Sequence, residues 1–162
     1  MAGGSREHLL VSRIADGTVI DHIPSWKAVT VSRVLRLDKL SERHRDISVA
    51  ILQNVVSERL GRKDIIKVDR WRVDENDANI LCLVFPSITV NYIRGGAVSK
   101  YRPKVPDSIE GRISCPELSC ITNAEREPVT PRFATLKDVR LLRCEYCDTL
   151  LGFDRVPDQV RT

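Results

Sequence analysis

Four cysteines in the last third of the chain, Cys115, Cys120, Cys144 and Cys147, limit what it can fold into more than any other feature. They read C-x4-C, a gap of 23 residues, then C-x2-C. Two close pairs joined by a loop of this size can aim four thiolates at one tetrahedral centre, with metal–sulfur distances of about 2.3 Å. Four protein ligands leave no open position for water or substrate, so the pattern predicts one structural Zn2+ per chain and not a catalytic metal. The competing readings are two disulfides or four unrelated thiols. The start, MAGGSREH, lacks the apolar core of a secretion signal, which predicts a reducing, cytoplasmic setting and argues against disulfides.

Composition excludes several functions. No apolar run approaches the roughly 20 residues that span a bilayer, so no membrane contact is expected. The net charge is +4, with 19 arginines and 7 lysines spread along the chain, which permits an anionic partner without pointing to nucleic acid. A zinc-ribbon nucleic-acid-binding protein is the alternative reading. Against it stand the C-x4-C spacing, wider than the C-x2-C of ribbons, and an aromatic content of 5%, too low for a stacking platform. A thiol redox enzyme using Cys144-Glu145-Tyr146-Cys147 would need a free, acidic thiolate at a helix N-terminus. The three histidines, His8, His22 and His44, suggest no triad, and no G-x-x-x-x-G-K-[ST] phosphate loop is present.

The stretch Arg102-Pro103-Lys104-Val105-Pro106-Asp107 predicts a boundary, because alternate prolines interrupt any ladder. This gives two domains, 8–102 and 107–157. In the first, Leu9–Ile14 reads as a short strand and Thr18–Ile23 as another. Ser25 is the expected cap of a helix carrying Val29, Val34 and Leu37. Asp46–Val56 and Lys63–Asp69 alternate as strands. Asp74 is the expected N-cap of a helix with Ile80, Leu81, Val84 and Phe85 on its apolar side and Cys82 in the core. Ile88–Ile93 and Ala97–Tyr101 form a hairpin about Gly95-Gly96. The order β, α, β, β, α, β, β predicts an α+β fold, a ferredoxin-like sandwich of an antiparallel sheet and two helices. The second domain is expected to be small and all-β, with strands at Arg132–Leu136, Val139–Arg143 and Thr149–Phe153. About 55 residues bury too little surface to fold securely, so the metal completes its stability.

Three features of the first domain invite a ligand. Gly17–Pro24 sets Asp21 beside His22 at the end of an apolar run; a turn with a locally bonded Asp is the plainer reading. Lys63 and Lys67 share one face of a strand, about 13 Å apart, where they could meet the ends of a polyphosphate or simply be solvated. Lys100 follows the glycine hairpin and carries no signal alone.

The segments GTVIDHIP (Gly17–Pro24), GRKDIIKV (Gly61–Val68), TVN (Thr89–Asn91), CPELSCIT (Cys115–Thr122) and EPV (Glu127–Val129), with the cysteine spacing, closely resemble the regulatory chain of aspartate carbamoyltransferase. The resemblance runs from about Leu9 to Phe153. It implies a non-catalytic subunit whose first domain binds nucleotide effectors, ATP as activator and CTP or UTP as inhibitor. It further implies that the zinc domain docks on the catalytic chains of pyrimidine biosynthesis. Regulatory dimers would bridge two catalytic trimers in a dodecamer. On this resemblance Asp21 and Lys67 hold the ribose and base edge, and His22, Lys63 and Lys100 lie near the phosphates. Val11, Ile14, Asn91, Ile93 and Ala97 belong to the wall that reads the base. The chain departs from the family at Ser119, where an Asn is usual. It departs also in the short Arg94–Ala97 loop, which lacks the usual acidic and aromatic residues, and in a longer stretch between His22 and Gly61.

Overall fold

The computed structural model describes residues 12–161. Its first sheet has five strands: β1 (Gly17–Pro24), β2 (Ser48–Ser57), β3 (Gly61–Asp69), β4 (Thr89–Arg94) and β5 (Ala97–Tyr101). They lie in the order β2-β3-β1-β4-β5, each neighbouring pair antiparallel. Three helices are interspersed: α1 (Ala28–Val34), α2 (Leu40–Arg43) and α3 (Glu75–Val84). The order βαββαβ with β5 added at one edge is the expected ferredoxin-like sandwich. Period-2 alternation explains its two faces. Thr18, Ile20, Asp64, Ile66, Val68, Val90 and Tyr92 are buried, and α1 packs over β1, β2 and β3. The intervening Val19, Lys67, Asn91 and Ile93 point to an open face.

Several sequence expectations shift. Of the strand read at Leu9–Ile14, residues 9–11 lie outside the described residues, and Ser12–Ile14 pairs in no ladder. The chain after it is held by single bonds instead: the Gly96 N–H donates to the Ala15 carbonyl and the Arg70 N–H to that of Asp16, both at 2.9 Å. Gly17 permits this path at φ 141°, where any Cβ would strike the Val68 carbonyl. Helix α1 starts at Ala28 and not beside Ser25, whose hydroxyl donates to Asn54 Oδ1 at 2.8 Å. Val29 is 63% exposed, and Ala28, Val31 and Val34 make the apolar stripe. Arg36, at φ 53°, breaks the helix before Leu37, which sits in a 3-10 turn. Asp74 caps α3 as expected, accepting the Asn76 N–H at 2.8 Å, but Cys82 is only half-buried on the flank of that helix.

Asp64 has no exposed surface although it is charged. Its carboxylate accepts the N–H of Ala28 at the start of α1 and of Asn54 in the β2 bulge, each at 2.8 Å. The bond to Ala28 replaces the missing side-chain cap of α1.

A second antiparallel sheet follows, in the order β6-β7-β8-β9: β6 (Ser108–Glu110), β7 (Arg132–Leu136), β8 (Leu141–Cys144) and β9 (Leu150–Gly152). Strand β8 begins later than expected, because Lys137–Val139 forms a 3-10 turn ending at Arg140 with φ 55°. Strand β9 is shorter, since Phe153 opens a 3-10 run that lasts to Gln159. Strand β6, three residues long, carries too little pattern to be read from sequence.

The two sheets meet through that 3-10 run, which packs against α1 and α3. The Arg140 guanidinium donates to the Leu83 carbonyl at 3.2 Å and lies over the Phe153 ring. Helix α3 has no basic residue in its last turn, so Arg140 brings the cation that its C-terminal carbonyls favour. Arg112 pairs with Asp77 at 2.8 Å and Arg33 with Asp158 at 3.7 Å.

Candidate functional site

The four cysteine sulfurs lie within 4.8 Å of one another. A tetrahedron with 2.3 Å bonds has sulfur–sulfur edges of about 3.8 Å. Cys115 and Cys147 are separated by 3.6 Å and Cys120 and Cys144 by 3.8 Å, so the residues fit one zinc ion. Tight loops present the thiols. The Cys120 N–H donates to the Glu117 carbonyl at 3.0 Å, and the Cys144 N–H to Thr149 at 2.9 Å. Asp148, at φ 60°, turns the second loop. The Asn123 amide donates to the carbonyls of Cys115 and Glu117, bracing the first. Around the sulfurs, Thr122 Oγ1 lies 3.2 Å from Cys120 and Thr149 Oγ1 3.2 Å from Cys147. Hydroxyls so placed donate to metal-bound thiolates and fix their orientation. Burial pushes the Cys115 and Cys144 thiols up, so a cation is what makes four thiolates tolerable there. Cys144 ends a strand and opens no helix, so the redox reading lacks its helix N-terminus.

On the first sheet, a bulge between Ile20 and Ile23 puts His22 at φ 57° and turns Asp21 and His22 onto the open face. Asp21 Oδ1 accepts the His22 N–H at 2.6 Å and meets Lys63 Nζ at 2.8 Å. His22 Nδ1 lies 2.9 Å from Thr89 Oγ1. Burial pushes the imidazole below its usual 6.5; Asp21 opposes this, and Lys63, Arg59 and Lys100 reinforce it. The ring is therefore neutral at pH 7, with several cations in range.

Strand register brings in the rest. Lys67 pairs with Val19, Val19 with Asn91 and Asn91 with Lys100, so these four stand in one row across β3, β1, β4 and β5. Three strand spacings separate the two lysines, about 14 Å. At one end of the row Lys67 Nζ donates to the Ser12 carbonyl at 3.4 Å, beside a cavity of about 310 Å3 that Ile14, Ala50 and Asp69 also line. Ile93 faces the same side, and Ala97 sits at the hairpin end opposite Arg94. Thus Ile14 and Lys67 form one cluster, Asp21, His22 and Lys63 a second, and the row links them to Lys100. Val11 lies outside the described residues. Thr89 and Arg59 escaped the sequence reading. Thr89 opens the TVN motif and was legible there; Arg59, in the β2–β3 turn, had no pattern to mark it.

Two family models match this chain. One is described as the aspartate carbamoyltransferase regulatory chain, allosteric domain, over residues 9–104. The other is its metal binding domain, over residues 107–157. The chain belongs to the aspartate carbamoyltransferase regulatory chain family. It is 40% identical over 156 residues to the regulatory chain of Thermofilum pendens, covering 95% of this chain and 96% of that one. Identity to the Saccharolobus solfataricus regulatory chain is 41% over 162 residues, 99% of each. The Hyperthermus butylicus chain is 41% identical over 154 residues, 94% of each. As a regulatory chain it carries an allosteric and a metal-binding domain, and the four cysteines of the second form a cluster positioned to bind one metal ion, as zinc requires. Among the described residues no helix is long and apolar enough to cross a membrane.

Proposed function

We propose that this chain is the non-catalytic allosteric subunit of a cytoplasmic aspartate carbamoyltransferase, divided at 8–102 and 107–157. Its open sheet face binds nucleoside triphosphates, ATP activating and CTP or UTP inhibiting the pyrimidine pathway. The observation that carries this reading is the row from Lys67 to Lys100, flanked by the Asp21, His22 and Lys63 cluster. Lysines suit a flexible polyanion as point charges, and the row is long enough for a whole nucleoside triphosphate, with its base toward Lys67 and its phosphates toward Lys100. Neutral His22 donates one hydrogen bond to a phosphate oxygen. Backbone at Ser12–Ile14 offers donors and acceptors to a base held near Lys67. Such an effector shifts the enzyme only by its difference in affinity for two quaternary states, typically about 1–3 kcal/mol.

The experiment is calorimetry on two variants at low and high salt. Lys67→Ala is expected to weaken nucleotide binding about 10- to 150-fold, the range of a lost charge-assisted hydrogen bond. Lys100→Ala is expected to act through the phosphates, with a penalty that shrinks from triphosphate to monophosphate and fades with salt. Unchanged triphosphate affinity in both variants overturns the assignment.

The zinc domain is the docking surface for catalytic chains. Leu118 is 89% exposed on the first metal loop, with Ile121 and Tyr146 half-exposed nearby. Beside them the Ser119 hydroxyl donates to Glu117 at 2.7 Å. Regulatory chains pair as dimers, three dimers bridging two catalytic trimers. Leu118→Asp is expected to abolish co-purification with catalytic chains while leaving one zinc per chain. A complex of normal yield contradicts the docking assignment.

A further inference from the structure

A cavity of about 570 Å3 lies where the helices of the first sheet meet the start of the second unit. Arg36, Lys39, Arg43, Arg72 and Arg112 line it. Three carboxylates, Glu42, Asp74 and Asp77, share that lining, so cations exceed anions. Their pairing is uneven. Arg112 pairs with Asp77 at 2.8 Å, Lys39 with Glu42 at 3.4 Å and Arg72 with Glu75 at 3.3 Å. Among the described residues the Arg43 guanidinium makes no ion pair or hydrogen bond, and the Arg36 guanidinium acts on Asp77 only through space. Arg36 holds φ 53°, a left-handed conformation that residues other than glycine rarely keep without a functional or structural reason.

We propose that this junction cavity is a second anion site, taking a small molecule that carries two or more phosphate groups. Its volume lies in the range of small-molecule sites, about 300–1,000 Å3, and far exceeds a single phosphate group. Guanidinium groups match phosphate oxygens in pairs, which lysine-rich surfaces do not. The one indole at the cavity, Trp71, packs tilted against His44, with ring centroids 4.5 Å apart and an interplanar angle of 47°. The lining's charge is carried by its guanidinium groups, so the phosphates are what it recognises. The site is separate from the row on the open face. Arg72 lies over the Tyr92 ring on the helix-covered side of the sheet. An occupant would touch Arg112 of the second unit and Arg36 and Arg43 of the first, tying the two together.

Trp71 reports on this cavity once the chain's other tryptophan, Trp26, is replaced. We would titrate the full-length Trp26→Phe chain with inorganic tripolyphosphate at constant ionic strength and follow the Trp71 emission. A saturable change is expected, weakened about tenfold or more by Arg43→Ala and by Arg36→Gln. Lys100→Ala, on the open face, is expected to leave it unchanged, so failure here is distinct from failure of the effector assignment. Arg43 is exposed, and its variant should keep fold and zinc content. The proposal is overturned by the absence of a saturable change, by an unaltered response in Arg43→Ala, or by the same response to sodium chloride at equal ionic strength.

Discussion

Cys120→Ser is expected to leave the chain with little or no bound zinc and its second sheet unfolded. The magnitude is large because metal binding and folding are coupled. Structural zinc is worth about 10–16 kcal/mol in small domains, more than a sheet of four short strands can gain by itself. Cys120 is buried, and Cys144 of the other loop lies 3.8 Å away, so its loss removes one of the two sulfur pairs that face each other across the loops. Atomic emission should give about one zinc per wild-type chain, and chelation of the wild type should reproduce the loss of near-ultraviolet dichroism. The first sheet has its own core of Ile20, Ile66, Val68, Leu81 and Val90 and should persist. A serine variant with full zinc and native dichroism would contradict the assignment of ligands.

Asp64→Ala is expected to destabilise the first sheet by about 3 kcal/mol or more. The change strips two backbone N–H groups of a charged acceptor, each such bond being worth about 1.5–3 kcal/mol. It also frees the β2 bulge and the start of α1, which flank Lys63 and His22, so nucleotide binding should fall with stability. Asp64→Asn keeps a carbonyl acceptor and should cost less. Urea unfolding of the two variants checks the order. Burial alone would raise this carboxyl, but hydrogen bonds, chiefly from the Asn54 and Ala28 N–H groups, outweigh it and hold the group below 3.8. The native state thus takes up a proton less readily than the unfolded chain. Its contribution is complete above the ordinary aspartate range and is lost as pH falls through the lowered native value. Asp64→Ala should therefore flatten the acid limb of the stability profile; an unchanged limb would show that Asp64 is not its source.

Much of this was legible from residue pattern because local and global signals agree. Alternation in Thr18–Ile23 and Lys63–Asp69 fixed both the strands and the face each side chain takes. Asp74, an N-cap before an apolar run, fixed the start of α3. Expectations failed where long-range bonds override local preference. Ser25 looked like a helix cap, but its hydroxyl is taken by Asn54, and a carboxylate 36 residues away in the chain serves the helix instead. Cys82 looked like core from composition, and only the packing of α3 shows it on the flank. The cysteines were readable as one cluster because their spacing alone nearly dictates the loops. The open face was only half readable: Lys63 and Lys67 share a strand, whereas the row from Lys67 to Lys100 depends on the pairing of four strands.

The 3-10 run from Phe153 to Gln159 comes later in the chain than every element it packs against. Val156 has no exposed surface, and the run touches both α1 and α3. During synthesis the first sheet can thus form early, and the metal loops can close once Cys147 has emerged. The joint between the units is completed only afterwards. The contact that this run makes with α1 and α3 therefore forms only after the residues of both sheets have been synthesised.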